Sequence, residues 1–348
     1  MHAFFSDNVA GMCPELLAAI EAANEGYAPS YADDALTTEL ETVVSDVFET
    51  PVAVFLTSTG TAANALSIAG LCPPWKRTLC HRRSHVMESE AGAPEAYSGG
   101  GKLSAPRDGS FDKLSASDIQ TALGALKPGD PHTPCYGLVS ISQVTESGSI
   151  YSIDELREIS AIVKRYGALL HMDGARFANA LAATGASPAD MTTRIGVDAL
   201  SLGIAKNGGA LCELIVLFDR DKAAEFRFRQ MRAGQLLSKH RFWAAQALAY
   251  FRDGLWLKLA EHANRQAKAL AIGLEAKNIE MALRVEANLL FPLIEESRAR
   301  RLIADGHVIK TYDPAVFGRP AAAGWRVLRL VTSWKTTEED VQRCISIL

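Results

Sequence analysis

Apolar positions along the chain fall into two rhythms. Short apolar or β-branched runs read as strands at Val52–Leu56, Thr78–His81, Leu138–Ser142, 168–172, 198–203 and 213–218. Between them apolar residues recur at helical spacing, over Pro14–Asn24, Ala35–Phe48 and Ala62–Leu71. The proline near the start of the first suits the first turn of a helix. In Ile153–Tyr166, Ile153, Leu156, Ile159, Ile162 and Val163 share one face, and Ser152-Ile-Asp-Glu155 forms a capping box ahead of it. Ser58-Thr-Gly-Thr61 reads as a turn, and residues 97–113, rich in Gly, Ser and Lys, as a surface loop or short hairpin. Such strand–helix alternation predicts an α/β fold with a mostly parallel sheet covered on both faces.

From Asp221 the pattern turns helical and basic, through Phe226–Arg232 and then Arg241–Leu270. Beyond it, short strands are expected at Met281–Val285, Leu289–Pro292 and Arg326–Leu330. The chain therefore divides into a large domain at 1–240, N-terminal segment included, and a smaller C-terminal α/β domain at 241–348. Its 348 residues suffice for both.

Charge and composition remove several classes of function. A net charge of −4 carries no basic footprint for nucleic acid. No apolar run approaches the ~20 residues that cross a bilayer. Residues Met1 to Asn8 lack the n-region and h-region of a signal peptide. The six cysteines (13, 72, 80, 135, 212 and 344) are scattered with no Cys-x-x-Cys, a spacing that fits neither a disulfide framework nor a zinc site. A reducing cytoplasm is the expected location.

Two strand ends carry the chemistry. Lys206 follows the apolar run 197–205 and precedes Asn-Gly-Gly209, which lets the chain turn away. Burying an ammonium without a partner is costly, and a desolvated lysine is a nucleophile toward carbonyls. Asp173 ends the run Ala168-Leu-Leu-His-Met-Asp173. A lysine and an acid, each closing a strand, are the pair pyridoxal 5'-phosphate needs: an amine to hold the aldehyde as an imine, and a carboxylate to keep the pyridine nitrogen protonated. Asp173 could instead bridge to Arg176, and His171-x-Asp173, on one face of a strand, could suggest a metal, although no third ligand is apparent.

Further residues surround this pair. Gly60 and Thr61 open a helix after a strand, where free N–H groups and the helix dipole attract an anion; alone, the segment is simply a helix N-cap. His85 lies just past a strand, with a flat ring and a pKa suited to proton transfer; His81 competes by position. Arg329, at the centre of a C-terminal strand, calls for an anionic partner such as a substrate carboxylate, or an interdomain ion pair. Arg326 points to the opposite face of a regular strand.

With these residues in place, the chain resembles the L-threonine aldolase family of fold-type I pyridoxal phosphate enzymes. The likeness runs through Phe5–Asn8, Tyr31–Asp34, Thr59–Asn64, Ser84-His85, Glu90–Glu95, His171–Arg176, Ser201–Gly209 and Arg329–Thr332. Ser238-Lys-His-Arg-Phe242 is similar to a segment of the low-specificity L-threonine and L-phenylserine aldolases. The resemblance implies a large domain with a mostly parallel sheet of the seven-stranded type and a site at a subunit interface, in a homodimer or homotetramer. It implies that Lys206 holds the cofactor, that Asp173 pairs with the pyridinium nitrogen, that Gly60 and Thr61 hold the phosphate, and that His85 stacks on the ring. Ser6, Arg176 and Arg329 would bind the amino acid carboxylate. Lys239 or Arg241 would reach the phosphate region, and Tyr31 would line the site, across the interface. Thr145 stands where other members carry a second histidine. The implied reaction is retro-aldol cleavage of a β-hydroxy-α-amino acid to glycine and an aldehyde, with His85 as base, directly or through a water. Other fold-type I chemistry, β-elimination or transamination, and a non-catalytic protein that keeps the fold are the competing readings.

Overall fold

The computed structural model describes residues 4–348 apart from 108, 110, 127, 128, 321 and 322. Positions 108 and 110, within the segment 97–113, and the first three residues therefore lie outside the described residues.

Seven strands form the large sheet: β1 (Ala53–Thr57), β2 (Arg77–Cys80), β3 (Lys102–Ser104), β4 (Tyr136–Ser142), β5 (Leu169–Gly174), β6 (Ala199–Leu202) and β7 (Glu213–Leu217). Their order is β1-β7-β6-β5-β4-β2-β3. All neighbours are parallel except those of β7, which runs antiparallel to both β1 and β6. Both faces are covered. Along β7, Leu214 and Val216 enter one apolar core while Ile215 and Leu217 enter another, as the period of two requires.

A second sheet of four strands follows: β8 (Leu289–Leu290), β9 (Leu293–Glu295), β10 (Lys310–Tyr312) and β11 (Trp325–Val331). Its apolar core includes Leu290, Ile294, Leu328 and Leu330 with Leu270 and Leu274. Phe4 joins that core, and the Val331 amide donates to the Phe4 carbonyl at 3.0 Å. The N-terminal segment is thereby pinned to the edge of β11, and residues 5–8 approach the large sheet from there.

Several expectations are corrected. Arg241–Leu270 is not one helix: Arg241–Phe251 and Leu255–Glu275 are separated at Asp253 (φ 52°) and Gly254 (φ 66°), both left-handed. Met281–Val285 is no strand. A single bridge joins Met281 to Pro292, whose missing N–H limits further pairing. The segment 97–113 contributes β3, a parallel edge strand, rather than only a loop or hairpin.

Candidate active site

Ligands of an open α/β sheet sit outside the carboxyl ends of its strands. Here β1 leads to Ser58 and Thr59, β2 to His85, β5 ends at Asp173, and β6 runs on to Lys206. They meet around a cavity of about 290 Å³ whose walls include Gly60, Thr61, Asn64, His85, Asp173 and Lys206.

Local sequence explains the placement. The helix Gly60–Leu71 begins at Gly60, two residues before the apolar pattern suggested, because Thr59 caps it by accepting from the Ala62 amide at 3.1 Å. The first amides of the helix then face the cavity. Gln235 Oε1 accepts from both the amide and the hydroxyl of Ser58, at 2.8 and 3.0 Å, and fixes the approach to this turn. On the other side, Lys206 sits in a 3-10 turn (Ala205–Asn207) beyond β6, half-buried rather than buried in the strand. Gly203 is required there, since a Cβ would lie 2.4 Å from the Ala175 carbonyl. Gly208 (φ 96°) closes the turn in the left-handed region. Lys206 Nζ has no hydrogen bond or ion pair among the described residues.

Asp173 is 6 % exposed. Its Oδ1 accepts from the Ala175 amide at 3.1 Å and its Oδ2 from Asn64 Nδ2 at 3.0 Å. The bridge to Arg176 considered from sequence does not form. Arg176, 5 % exposed, is bound in two places by Asp7, at 2.6 and 2.9 Å. Asn288 Nδ2 also donates to Asp7 Oδ2, at 3.1 Å. Burial pushes the Asp7 carboxyl up, but the cations Arg176 and Lys206 outweigh it and the net shift is downward.

His171 offers a metal no free ring nitrogen. Its ring is fully buried, with Nδ1 2.9 Å from Ser140 Oγ and Nε2 2.9 Å from Ser201 Oγ. Both nitrogens are engaged, and burial lowers its pKa to about 4, so the ring is neutral. Among the described residues no group of three or more His, Cys, Asp or Glu is arranged to hold a metal.

His85 opens a short helix (His85–Glu88), with Nδ1 2.8 Å from Glu90 Oε1. That hydrogen bond raises the His85 pKa against the opposing effect of burial. Glu90 is itself raised by burial, and its Oε1 also accepts from Asn64 Nδ2 at 2.9 Å. One amide thus links the acid behind His85 to Asp173. Asn64 and Glu90 were not singled out in the sequence, although both stand inside its quoted motifs; Asn64 is one helical turn from Gly60, on the same face.

A second, outer cavity of about 510 Å³ adjoins the first, and Lys206, His85 and Glu146 line both. Ser6, Arg176 and Arg329 stand in its wall. Ser6 caps a 3-10 turn (Asp7–Val9) by accepting from the Asn8 amide at 3.2 Å. Arg329 Nη1 donates to the Phe5 carbonyl at 3.3 Å. Burial depresses its pKa and nearby Arg176 adds to this, an arrangement an anion would relieve. Arg326 pairs with Glu296 at 3.1 Å, away from the cavity. Thr145 donates to Asp112 Oδ1 at 3.3 Å.

Tyr31, Lys239 and Arg241 line neither cavity of their own chain. Tyr31 is exposed in a left-handed conformation (φ 56°), and its amide donates to Ser238 O at 3.1 Å. Lys239 is exposed, and Arg241 donates to the Gly26 carbonyl at 3.3 Å.

The inner cavity fits pyridoxal phosphate. It has helix-start amides for a phosphate, a buried carboxylate with room to accept from a ring N–H, and an amine without a partner. The buried Asn64 Oδ1 and Glu90 Oε2 have no partner among the described residues.

Comparison with known proteins agrees with the geometry. Residues 3–297 match the family model described as beta-eliminating lyase. A low specificity L-threonine aldolase of Pseudomonas aeruginosa is 40 % identical over 340 residues, covering 97 % of this chain and 94 % of that protein. The protein of the same name from a Pseudomonas species matches at the same identity and coverage. A solved structure of Leishmania major threonine aldolase superposes with a TM-score of 0.90 at 29 % identity, covering 100 % of this chain and 98 % of that one. The chain belongs to the beta-eliminating lyase family, among its low-specificity L-threonine aldolases.

Proposed function

We propose that this protein is a pyridoxal 5'-phosphate-dependent aldehyde-lyase. Its substrates are L-threonine, L-allo-threonine or related L-β-hydroxy-α-amino acids, L-phenylserine included, and its products are glycine and an aldehyde. The observation that carries the proposal is the meeting of Lys206, Asp173 and the start of the helix Gly60–Leu71 around one cavity. The 40 % identity to low specificity L-threonine aldolases favours aldol cleavage over β-elimination or transamination.

Lys206 holds the cofactor, and pyridoxal phosphate supplies, when bound, a sink for the electron pair left on the substrate Cα. The Gly60 and Thr61 amides hold its phosphate. Asp173 would accept from the ring nitrogen and keep a proton there, and His85 would cover the ring. Arg329 and Ser6 bind the substrate carboxylate from the outer cavity, and Arg176, oriented by Asp7, lends them positive charge. That grip would fix the orientation of the Cα–Cβ bond that is to break. Because Glu90 accepts from Nδ1 of His85, the lone pair lies on Nε2, the atom that takes the β-hydroxyl proton, directly or through a water. As that proton leaves, Cα–Cβ breaks and the aldehyde departs; the protonated His85 then returns a proton, directly or through a water, to Cα to give glycine.

The proposal extends to a homodimer or homotetramer in which Tyr31, and Lys239 or Arg241, complete a neighbour's site. Among the described residues no helix is long and apolar enough to cross a membrane. A reducing cytoplasm suits the scattered cysteines. The test is a panel of β-hydroxy amino acids with product analysis. Glycine plus aldehyde supports the proposal. Ammonia plus keto acid, transamination products, or a cofactor-bound protein with no turnover replaces it with elimination, transamination or a binding role.

A further inference from the structure

Arg83 is a cation that the reaction above leaves unused. It stands on the turn after β2, two residues before His85, and its amide donates to His81 Nδ1 at 3.3 Å. Its guanidinium lies over the Phe111 ring, 4.2 Å from the centroid, and 5.7 Å from that of Phe317. Phe317 packs in turn on Phe291, with 5.4 Å between centroids, and Phe291 lines the outer cavity. A guanidinium held over an aromatic ring keeps its N–H groups in its own plane, where they can bind an anion beside the ring. Within the chain they are not used. The Arg83 side chain makes no hydrogen bond or ion pair among the described residues, and its Nη1 is buried without a partner.

Arg83 lines the outer cavity with His85, Arg329 and Glu146, and shares a smaller adjoining pocket with Glu146 and Asp112. Neither acid pairs with it, and Asp112 accepts from the hydroxyls of Thr145 and Ser149. Arg176 is held by Asp7, and Arg329 with Ser6 suffices for one substrate carboxylate. Arg83 is therefore a cation beyond those that an amino acid with a single carboxylate uses. His85 lines both cavities, so a β-carbon whose hydroxyl meets His85 has the outer cavity beside it. We propose that Arg83 is a specificity-determining residue that binds a carboxylate borne on the substrate β-carbon. The substrates then include L-β-hydroxy-α-amino acids with a second carboxylate, 3-hydroxyaspartate being the smallest. A planar carboxylate matches the edge of a stacked guanidinium, which accepts it with two parallel N–H donors. The balance is that of the retro-aldol step: Cα–Cβ breaks, the β-hydroxyl proton leaves and Cα gains a proton. The products are glycine and glyoxylate, the aldehyde that carries the second carboxylate. The proposal rests on the aldolase reading for turnover, but its binding test does not.

L-Aspartate and L-alanine differ by a β-carboxylate, and neither has a β-hydroxyl, so neither can be cleaved. Calorimetric titration of the cofactor-loaded protein should give L-aspartate a roughly 10–100-fold tighter Kd than L-alanine. Arg83→Met keeps an unbranched side chain over Phe111 and loses the charge. It should lose roughly tenfold or more of that preference. Equal affinities in the wild type overturn the proposal. So does a variant that weakens both ligands alike, which is what a mere strut against the aromatic rings would give. Should Arg83→Met fail to fold, Arg83→Lys serves instead: it keeps the charge and loses the fork, so the preference should fall, and an unmoved ratio overturns the proposal. In turnover, the wild type should release glyoxylate and glycine from L-3-hydroxyaspartate; glycine from L-threonine without glyoxylate from 3-hydroxyaspartate also overturns it. A protein with the binding preference that yields no glycine from any β-hydroxy amino acid loses the aldolase reading and keeps the Arg83 site.

Discussion

Glu90 lies behind His85, its Oε1 2.8 Å from the imidazole Nδ1. This contact raises the His85 pKa, so the ring keeps its proton to higher pH than it would alone. The proposed role of His85 as base requires the unprotonated Nε2. Glu90→Gln should therefore move the acidic limb of the kcat/KM profile for L-threonine to lower pH. His85→Asn should lower kcat by about 10²–10⁴-fold. A Glu90→Gln profile identical to wild type, or full cleavage with normal pH dependence in His85→Asn, contradicts the assignment of His85 as base.

Asn64 donates to Glu90 and to Asp173 at once, at 2.9 and 3.0 Å. Removing it leaves two buried carboxylates without their shared donor, at a cost of about 1–3 kcal/mol for each unsatisfied group. Asn64→Leu should weaken pyridoxal phosphate binding by roughly 10–100-fold in a fluorescence titration. Unchanged affinity would show that Asp173 does not depend on this amide.

How much of this was legible in the sequence follows from how local each signal was. Lys206 and Asp173 stood out because each follows an apolar run, and the helix at Gly60 followed from small residues after a strand. The partner of Arg176 was not legible: only Asp173, three residues away, offered itself in the sequence as an alternative, whereas Asp7 is 169 residues distant. The link Asn64–Glu90–Asp173 spans 26 and 109 residues and leaves no periodic trace. Arg252-Asp-Gly254 breaks a helix inside a continuous apolar pattern because Asp253 and Gly254 both accept left-handed backbone. The sheet, by contrast, repeats its alternation strand after strand.

The Asp7–Arg176 pair is buried on both sides. Asp7→Ala strands a buried guanidinium and should destabilise the fold by about 3–5 kcal/mol in urea unfolding. Because Asp7 titrates below its ordinary value in the fold, its contribution is complete above about pH 4 and is lost as pH falls through the folded value. A loss under about 1 kcal/mol, typical of an exposed pair, contradicts the buried role.

Arg329 donates to the Phe5 carbonyl at 3.3 Å and faces the outer cavity. If it binds the substrate carboxylate, Arg329→Ala should raise KM for L-threonine by about 2 kcal/mol or more, roughly 30-fold, with kcat less affected. An unchanged KM removes that contact.

Visible absorbance of the purified chain with added pyridoxal phosphate, compared with Lys206→Ala under the same conditions, tests the central claim most directly. The wild type should turn yellow and release glycine from L-threonine, and the variant should do neither. A wild-type protein that stays colourless, or a Lys206→Ala protein that keeps both colour and cleavage, contradicts the account.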